Sequence, residues 1–146
     1  MLLRTLALSL LTTAFAPTAL AEVHEVHMLT RGAEGAMVYA PDHLRIAPGD
    51  SVRFLPTQSG HNAASLPGLW PDGAPTFKGP INQPLTYTFD VPGRYGIQCI
   101  PHLAMGMVML IEVGPSSTQP LIVPPGLPAR AQARLTLQAQ RLDATP

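Results

Sequence analysis

One short stretch of this sequence holds most of its chemistry. Cys99 is the only cysteine of the chain, and His102 and Met107 follow it three and eight residues later. A second histidine, His61, stands 38 residues before the cysteine. Together the four side chains offer one thiolate, two imidazoles and one thioether, which is the donor set of a type 1 copper site. The residue types and their spacing therefore predict one-electron transfer at copper.

This mixed donor set suits a metal that changes its oxidation state. Cu(II) favours nitrogen and oxygen donors, whereas Cu(I) favours sulfur. A rigid site built from both kinds of donor changes little when an electron arrives or leaves. Cys99, His102 and one methionine lie on a single connection between strands, and His61 must come from another part of the chain. We therefore expect the folded chain to preform a site for one copper ion.

Several alternatives stay open for these residues. A lone cysteine in an exported protein is often a buried, unreactive thiol, and a Cys-x-x-His fragment can be half of a zinc site. Met105 competes with Met107 for the axial position, and we favour Met107 because it begins an apolar strand. We expect His24 and His27 to be structural or exposed histidines, and His43 to lie in an exposed turn after Asp42.

Residues beside the predicted ligands have supporting roles in this interpretation. The side chain of Asn62 can tie the two ligand loops together, and a backbone N–H can donate to the thiolate. We expect Pro101 to be another residue that supports the predicted ligands. An apolar ring around an exposed histidine edge would make a docking patch through which electrons leave, and its expected members are Met37, Leu103 and Met105, next to Pro101.

The elements that must position these residues are short strands separated by turns. Apolar or alternating runs occur at residues 23–29, 37–39, 44–47, 51–55, 85–89, 94–98 and 107–113. This spacing is typical of a β-sandwich or barrel. The irregular segment 56–84 contains His61 and is long enough to indicate a functional loop. Residues 128–144 predict a helix with a thin apolar stripe of Ala131, Leu135 and Leu142 that lies on the sandwich.

The first 21 residues have the pattern of a cleavable signal peptide. Arg4 gives a basic start, the apolar run that follows is too short to span a bilayer, and Ala19-Leu20-Ala21 is a small-x-small cleavage signal. We expect cleavage after Ala21 and export to the periplasm. A single domain would then cover residues 22–114, and residues 115–146 would form a partly helical C-terminal extension.

The charge balance excludes some classes of partner. The chain has nine basic and nine acidic residues and no basic run, so we expect no nucleic-acid partner. No segment after the leader is apolar enough for a membrane span, and we expect a monomer without a membrane anchor. Residues 22–114 carry five basic and eight acidic residues, so this part of the chain is acidic.

The two ligand loops carry more information than their spacing. The motifs are Gly60-His61-Asn62 and Cys99-x-Pro101-His102-x-Ala104-Met105-Gly106-Met107, with residues 25–38 and Pro48-Gly49-Asp50 as further matches. They resemble the pseudoazurins, small bacterial blue-copper proteins of the cupredoxin family. The resemblance covers residues 22–114 and weakens after residue 115, where that family carries two packed helices.

The resemblance implies both a fold and a function. The fold would be an all-β, Greek-key cupredoxin sandwich of about eight strands with a C-terminal helical extension. Copper would be bound by His61, Cys99, His102 and Met107, and Met37 matches the family's methionine near the exposed ligand histidine. The implied role is electron delivery in the periplasm to a copper nitrite reductase, another denitrification enzyme or a cytochrome, with transient docking at the His102 face.

The chain departs from that family in its charges near the copper end. Lys78 is its only lysine, Arg31 can substitute for a lysine at one site, and Ser59 and Gln98 stand where lysines are expected. Charge steering sets association rates and partner choice, so docking here is expected to depend mainly on the apolar patch.

Two further hypotheses concern the function of the protein. We expect a carrier rather than an enzyme, because the four ligands fill the copper coordination and no nucleophile–base pair stands elsewhere in the sequence. The alternative is a periplasmic copper carrier or chaperone that transfers the metal itself. That alternative predicts a labile and exposed site rich in methionine.

Overall fold

Alternation in the first strand establishes which face of the sheet is buried. In the computed structural model, which describes residues 20–117 and 119–145, Val26 and Met28 are buried while Val23 and Glu25 are exposed. Side chains alternate between the two faces of a strand, so this pattern turns one face toward a core. The signal peptide is predicted for residues 1–21, and residues 1–19 of it lie outside the described residues.

Eight strands form two four-stranded sheets. The strands are β1 (Val23–Gly32), β2 (Gly35–Ala40), β3 (His43–Ile46), β4 (Ser51–Leu55), β5 (Ala64–Ser65), β6 (Leu85–Thr88), β7 (Gly93–Gln98) and β8 (Val108–Val113). Their order is β2-β1-β4-β6 in the first sheet and β3-β8-β7-β5 in the second. β1 pairs in parallel with β4 and β3 with β8, and the other pairs are antiparallel.

The main core lies between the two sheets. Val52 and Phe54 of β4 and Ile97 of β7 are fully buried there, and every residue of β8 is buried. Trp70 and Phe77, from the long loop between β5 and β6, pack edge-on against each other beside this core. Cys99 and Met107 belong to the same cluster. The predicted metal ligands therefore sit at one end of a well-packed interior.

A single helix covers the outer face of the second sheet. Helix α1 (Ala129–Asp143) begins directly after Pro128, whose missing N–H costs nothing at a helix start. Its buried stripe packs on β8 and β3 in a second apolar cluster, and consists of Ala131, Leu135, Gln138, Ala139 and Leu142. The sequence prediction of a helix lying on the sandwich is confirmed.

The end of α1 is fastened by a buried charge network. Glu112 of β8 accepts hydrogen bonds from Arg45 and Arg94, each at 2.9 Å. Arg45 also donates to the carbonyl of Leu142, at 2.6 Å, and Arg94 pairs with Asp143. These contacts join the C-terminal end of the helix to the second sheet.

The structure differs from the sequence predictions at two places. The short strand β5 falls inside segment 56–84, which the sequence predicted to be irregular throughout. His43 begins β3 and is half-buried beside Asp42, rather than lying in an exposed turn. Among the described residues after 114 only Ala129–Asp143 is helical, in agreement with the helix predicted over residues 128–144. In the described part of the chain, no helix has the length and apolar character needed to cross a bilayer.

Candidate metal centre

Three of the predicted ligands converge on one point. The donor atoms of His61, Cys99 and His102 all lie within 4.8 Å of one another. Nδ1 of His61 is 3.1 Å from Nδ1 of His102, and the Cys99 sulfur lies 3.5 Å from Nδ1 of His102 and 3.8 Å from Nδ1 of His61. Each residue thus presents one nitrogen or sulfur to a shared space of the size that a single ion needs.

The loop after β7 brings its own donors together. Cys99 follows β7 directly, and a short 3-10 helix (Ile100–Met105) then turns the chain back toward β8. The His102 N–H donates to the Cys99 carbonyl at 3.0 Å, and the Cys99 N–H donates to the Met107 carbonyl at 3.0 Å. Gly106 ends the turn with φ at +80°, a conformation that favours glycine. Met107 is therefore held beside Cys99 by the backbone.

His61 reaches the site from the loop after β4. Its carbonyl accepts a hydrogen bond from the Asn82 N–H at 2.9 Å, and the Asn82 side chain accepts one from the Gly60 N–H at 2.6 Å. Its Nε2 atom lies 3.0 Å from the Thr30 hydroxyl. When Nε2 carries the proton and donates to Thr30, Nδ1 keeps its lone pair toward the site. The sequence around Thr30 does not indicate this role, because nothing in its own strand pattern distinguishes it.

Asn62 connects the two ligand loops. Its side-chain oxygen accepts a hydrogen bond from the Ile100 N–H at 2.9 Å, and its side-chain nitrogen donates to the Gly79 carbonyl at 2.9 Å. Its own carbonyl accepts from the Tyr39 hydroxyl at 2.8 Å. Of these residues only Ile100 is exposed, so the bonds form largely away from competing water. The relative position of the His61 and Cys99 loops therefore depends on this residue.

The protonation states of the donors follow from their burial. Burial raises the pKa of the Cys99 thiol, while backbone N–H groups of Asn62 and His102 act in the opposite direction. Burial also lowers the pKa of His61, and the neighbouring His102 lowers it further. Without metal the site thus favours a neutral thiol and a neutral His61. A metal ion that binds here must displace the thiol proton, as thiolate ligation generally requires.

The two candidate methionines have different environments. Met107 is fully buried in the cluster that contains Cys99, whereas Met105 is 48% exposed at the end of the 3-10 helix. A buried thioether beside the thiolate suits a weak axial ligand of a type 1 site.

The remaining histidines lie apart from this group. His24 is 3.2 Å from the Asp50 carboxylate, His27 is 2.6 Å from the Thr57 hydroxyl, and His43 is 2.7 Å from the Asp42 carboxylate. Each has a structural partner of its own. Among the described residues, the cluster of His61, Cys99 and His102 is the one group of three metal-binding side chains that meets at a point.

The predicted docking residues do not all occupy the same environment. Pro101 and Met105 are exposed at the rim of the loop, and His102 is partly exposed between them. Met37 is half-buried against the main core, with φ at +53°, and Leu103 is half-buried against the cluster under helix α1. Two further exposed apolar side chains flank the ligand loops and were not predicted from the sequence, namely Ile81 and Ile100.

The donor set fits copper on chemical grounds. One thiolate, two imidazoles and a nearby thioether are softer ligands than Mg²⁺ or Ca²⁺ prefers, and the described part of the chain places no carboxylate in the group. A structural zinc site usually has four cysteine or histidine ligands, whereas this group supplies three.

Comparison with known proteins agrees with this chemistry. Residues 26–114 match the family model of copper-binding proteins of the plastocyanin/azurin family. The chain is 41% identical to the pseudoazurin of Paracoccus pantotrophus over 132 residues, which cover 90% of this chain and 86% of that protein. It is 46% identical to the pseudoazurin of Methylorubrum extorquens over 110 residues, which cover 75% of this chain and 72% of that protein.

Comparison with solved structures indicates the same family. The fold superposes on a pseudoazurin from Sinorhizobium with a TM-score of 0.79 and 35% identity, covering 86% of this chain and 99% of that one. A pseudoazurin from Hyphomicrobium denitrificans gives a TM-score of 0.71 at 29% identity, covering 82% and 97%. The chain is therefore a copper-binding cupredoxin, and it belongs to the plastocyanin/azurin family with pseudoazurins as its relatives.

Proposed function

We propose that this protein is a periplasmic electron carrier in which one type 1 copper is bound by His61, Cys99, His102 and Met107. The observation that carries the proposal is the convergence of three donor atoms within 4.8 Å inside a folded, copper-binding cupredoxin. We further propose that the protein is not an enzyme, since these four side chains fill the coordination and leave no position for a substrate.

The chain contributes a site that does not need to rearrange. Copper, when bound, supplies one-electron exchange between its cupric and cuprous states. His61 is oriented by Thr30, and the loop that carries Cys99 and His102 is fixed by Asn62. Burial of His61, Cys99 and Met107 excludes water from the ligands. Ligands held in this way keep their geometry in both oxidation states, which keeps the barrier to electron transfer small.

His102 is the proposed exit for the electron. It is the one partly exposed residue among the four proposed ligands, and the exposed residues of its own loop, such as Pro101 and Met105, are apolar. Contact with a partner at this face would shorten the path from the site to the partner's own redox centre. Pro101 and Met105 supply the exposed apolar surface, and we propose that the half-buried Met37 and Leu103 complete it.

The proposed partner is a redox protein such as a copper nitrite reductase or a cytochrome, and it docks transiently. Lys78 is the only lysine of the chain, and residues 22–114 are acidic overall. An apolar patch with few charges gives association that depends weakly on ionic strength, because steering by charge is screened by salt. We therefore propose that apolar contact, more than charge steering, holds the partner.

A copper carrier or chaperone is the alternative function. That role needs a metal that leaves readily, through exposed and exchangeable ligands. Here His61, Cys99 and Met107 are each 0% exposed, and the exposed Met105 lies at the rim. Burial of this extent favours retention of the metal and therefore favours the electron carrier.

Spectroscopy of the copper-loaded protein distinguishes the two functions. The electron carrier predicts intense visible absorption from thiolate-to-copper charge transfer, reversible one-electron reduction and slow loss of copper to a weak chelator. A metal carrier predicts weak colour and rapid transfer of copper to the chelator. The variant Cys99→Ser should be colourless in either case and serves as the control. A colourless wild-type protein with full copper loading contradicts the proposal.

A further inference from the structure

An arginine of the C-terminal helix reaches the loop that carries the proposed axial ligand. Arg134 lies in the middle of α1, and its guanidinium donates three hydrogen bonds to backbone carbonyls. One nitrogen, Nη1, donates to the carbonyls of Met37 and Gly106, at 2.6 and 2.7 Å. The other, Nη2, donates to the carbonyl of Ala36 at 2.8 Å. One side chain thus joins the helix, strand β2 and the ligand loop.

One of these carbonyls belongs to a residue whose backbone needs outside support, and another directly precedes the proposed axial ligand. Gly106 adopts a φ of +80° and immediately precedes Met107. Met37 adopts a φ of +53°, a conformation that costs free energy for a residue with a side chain. Such a backbone persists only where its surroundings hold it. The Arg134 guanidinium supplies that support, and the acceptors of its three hydrogen bonds are all backbone carbonyls rather than carboxylates.

The helix also shapes this loop by packing. A Cβ added at Gly106 would come within 2.8 Å of the Arg130 side chain and 3.1 Å of the Arg130 backbone. The loop therefore lies directly against the first turn of α1. Arg130 and Arg134 are four residues apart and lie on one face of the helix.

Partial burial of the charged Arg134 guanidinium costs desolvation free energy. Arg134 is half-buried, and burial, together with the nearby Arg130, lowers its pKa. Arginine stays protonated in proteins, so the cation is retained and must be solvated by the three carbonyls. Hydrogen bonds from a charged donor are stronger than those between neutral groups. An apolar residue at this position would pack the helix without that cost.

We propose that Arg134 is a positioning residue of the copper site, which sets the Gly106–Met107 segment against strand β2 and so would hold the sulfur of Met107 in place as a ligand for copper. The same guanidinium places Met37 beside the loop. Because the axial ligand tunes the reduction potential of a type 1 site, a residue that fixes this segment tunes the potential through it. This inference rests on the proposed assignment of Met107 as the axial ligand.

Substitutions of Arg134 distinguish a role in positioning the ligand loop from a role that only attaches helix α1 to the rest of the fold. Arg134→Gln removes the charged guanidinium, and Arg134→Lys keeps the charge but cannot span three carbonyls. The control is Arg141→Gln, since Arg141 lies two turns further along α1 and binds the carboxylates of Asp42 and Glu34 rather than the ligand loop. All proteins are loaded with copper and compared by visible absorption and redox titration. Unfolding of each variant in urea is measured alongside.

A second measurement needs no metal. The Met107 N–H donates to the His102 carbonyl at 3.2 Å, and its hydrogen exchange, measured in the copper-free protein, reports how firmly the loop is held. Loss of a charged hydrogen-bond donor should speed this exchange on the order of tenfold in Arg134→Gln. Amides of β4, such as that of Val52, serve as the reference for global opening.

The proposal predicts a specific pattern. Arg134→Gln shifts the charge-transfer spectrum and the reduction potential and speeds Met107 exchange, Arg134→Lys recovers part of each change, and Arg141→Gln resembles wild type in all three. If Arg134→Gln lowers stability but leaves the spectrum, potential and relative Met107 exchange unchanged, the residue only fastens the helix and the proposal is wrong. If the wild-type protein is itself colourless with copper, the proposed function is wrong. That result is distinguishable from a failure of the Arg134 proposal, in which the wild-type protein is coloured and Arg134→Gln has the same spectrum.

Discussion

The Nδ1 atoms of His61 and His102 face each other at 3.1 Å although 41 residues separate the two histidines. Neither loop alone can set this distance. It results from Thr30, which holds the far side of the His61 ring, and from Asn62, which ties the His61 loop to the residue after Cys99. Burial, together with the neighbouring His102, lowers the pKa of His61, so the arrangement favours a neutral His61 ring with a lone pair available to a metal.

Replacing the proposed axial ligand should change the potential without destroying the site. Met107→Gln substitutes a harder oxygen donor, which favours Cu(II), and should therefore lower the reduction potential and shift the absorption bands. The matched control is Met105→Gln, because Met105 is nearby in sequence but 48% exposed. Redox titration and visible spectra check both variants. The assignment of Met107 is wrong if the Met105 variant shows the shift and the Met107 variant does not.

Removing the link between the ligand loops should destabilise the metal-free protein. Asn62→Ala leaves the Ile100 N–H and the Gly79 carbonyl without their side-chain partner, at a cost of about 2 kcal/mol in unfolding free energy. Urea denaturation of the copper-free variant measures this cost, and Gln83→Ala, an exposed change in the same region, is the control. Equal unfolding free energies for Asn62→Ala and wild type would contradict the linking role.

The buried carboxylate under helix α1 should make stability depend on acid. Burial alone would raise the pKa of Glu112, but the Ser117 N–H, Arg94 and Arg45 outweigh it and lower the pKa below its ordinary 4.5. A lowered pKa stabilises the fold above pH 4.5, and this contribution is lost as the pH falls through the folded-state pKa. Unfolding free energy measured against pH should therefore decline in acid, and should decline less in Glu112→Gln.

At neutral pH the same substitution has a direct cost. Glu112→Gln removes the buried anion that Arg45 and Arg94 share, with Asp143 left as the partner of Arg94, and should lower the unfolding free energy by about 3 kcal/mol. The control is Glu25→Gln, since Glu25 pairs with Arg53 at 3.7 Å where both side chains are about half exposed. That pair should contribute no more than about 0.5 kcal/mol. Similar losses for the two variants would refute the role of burial.

Processing at the predicted cleavage site should add an ion pair at Asp50. The Glu22 N–H donates to the Asp50 carboxylate at 2.8 Å, and this bond is the largest contribution to the lowered pKa of that carboxyl. Cleavage after Ala21 would turn this N–H into an ammonium group. A chain that begins at Glu22 should then be about 1 kcal/mol more stable at neutral pH than the same chain acetylated at Glu22.

The sign of the pH dependence tests that ion pair. An anionic partner raises the pKa of the ammonium group above its ordinary value of about 8, so the extra stability is present below about pH 8 and is lost as the pH rises through the raised pKa. Unfolding of the free and acetylated chains should therefore converge in alkali. In Asp50→Asn the two chains should be equally stable at every pH, and a difference that persists there would assign the effect elsewhere.

The sequence sufficed for features that local patterns determine. Alternation and turn residues located seven of the eight strands, and the absence of glycine after Pro128 located α1. The chemistry of Cys99 and the histidines also needed only residue types and spacing, because the donor atoms define which metal is preferred. These parts of the fold were therefore predictable from the chain alone.

The remaining features depend on contacts between distant residues. Strand β5 has two residues and forms through its pairing with β7, so no local pattern marks it. Thr30 lies 31 residues from His61, and Arg134 lies 97 from Met37, and only the tertiary fold brings each pair together. The apolar stripe of α1 predicted its burial but not the three carbonyls that Arg134 binds.

Anomalous X-ray diffraction at the copper absorption edge, from crystals of the copper-loaded protein, locates the metal directly. We expect one strong peak between Nδ1 of His61, Nδ1 of His102 and the sulfur of Cys99, with the sulfur of Met107 further away on the axis. A peak at another place, such as the His24–Asp50 or His43–Asp42 pair, with none among those three donors would show that the proposed copper site is wrong.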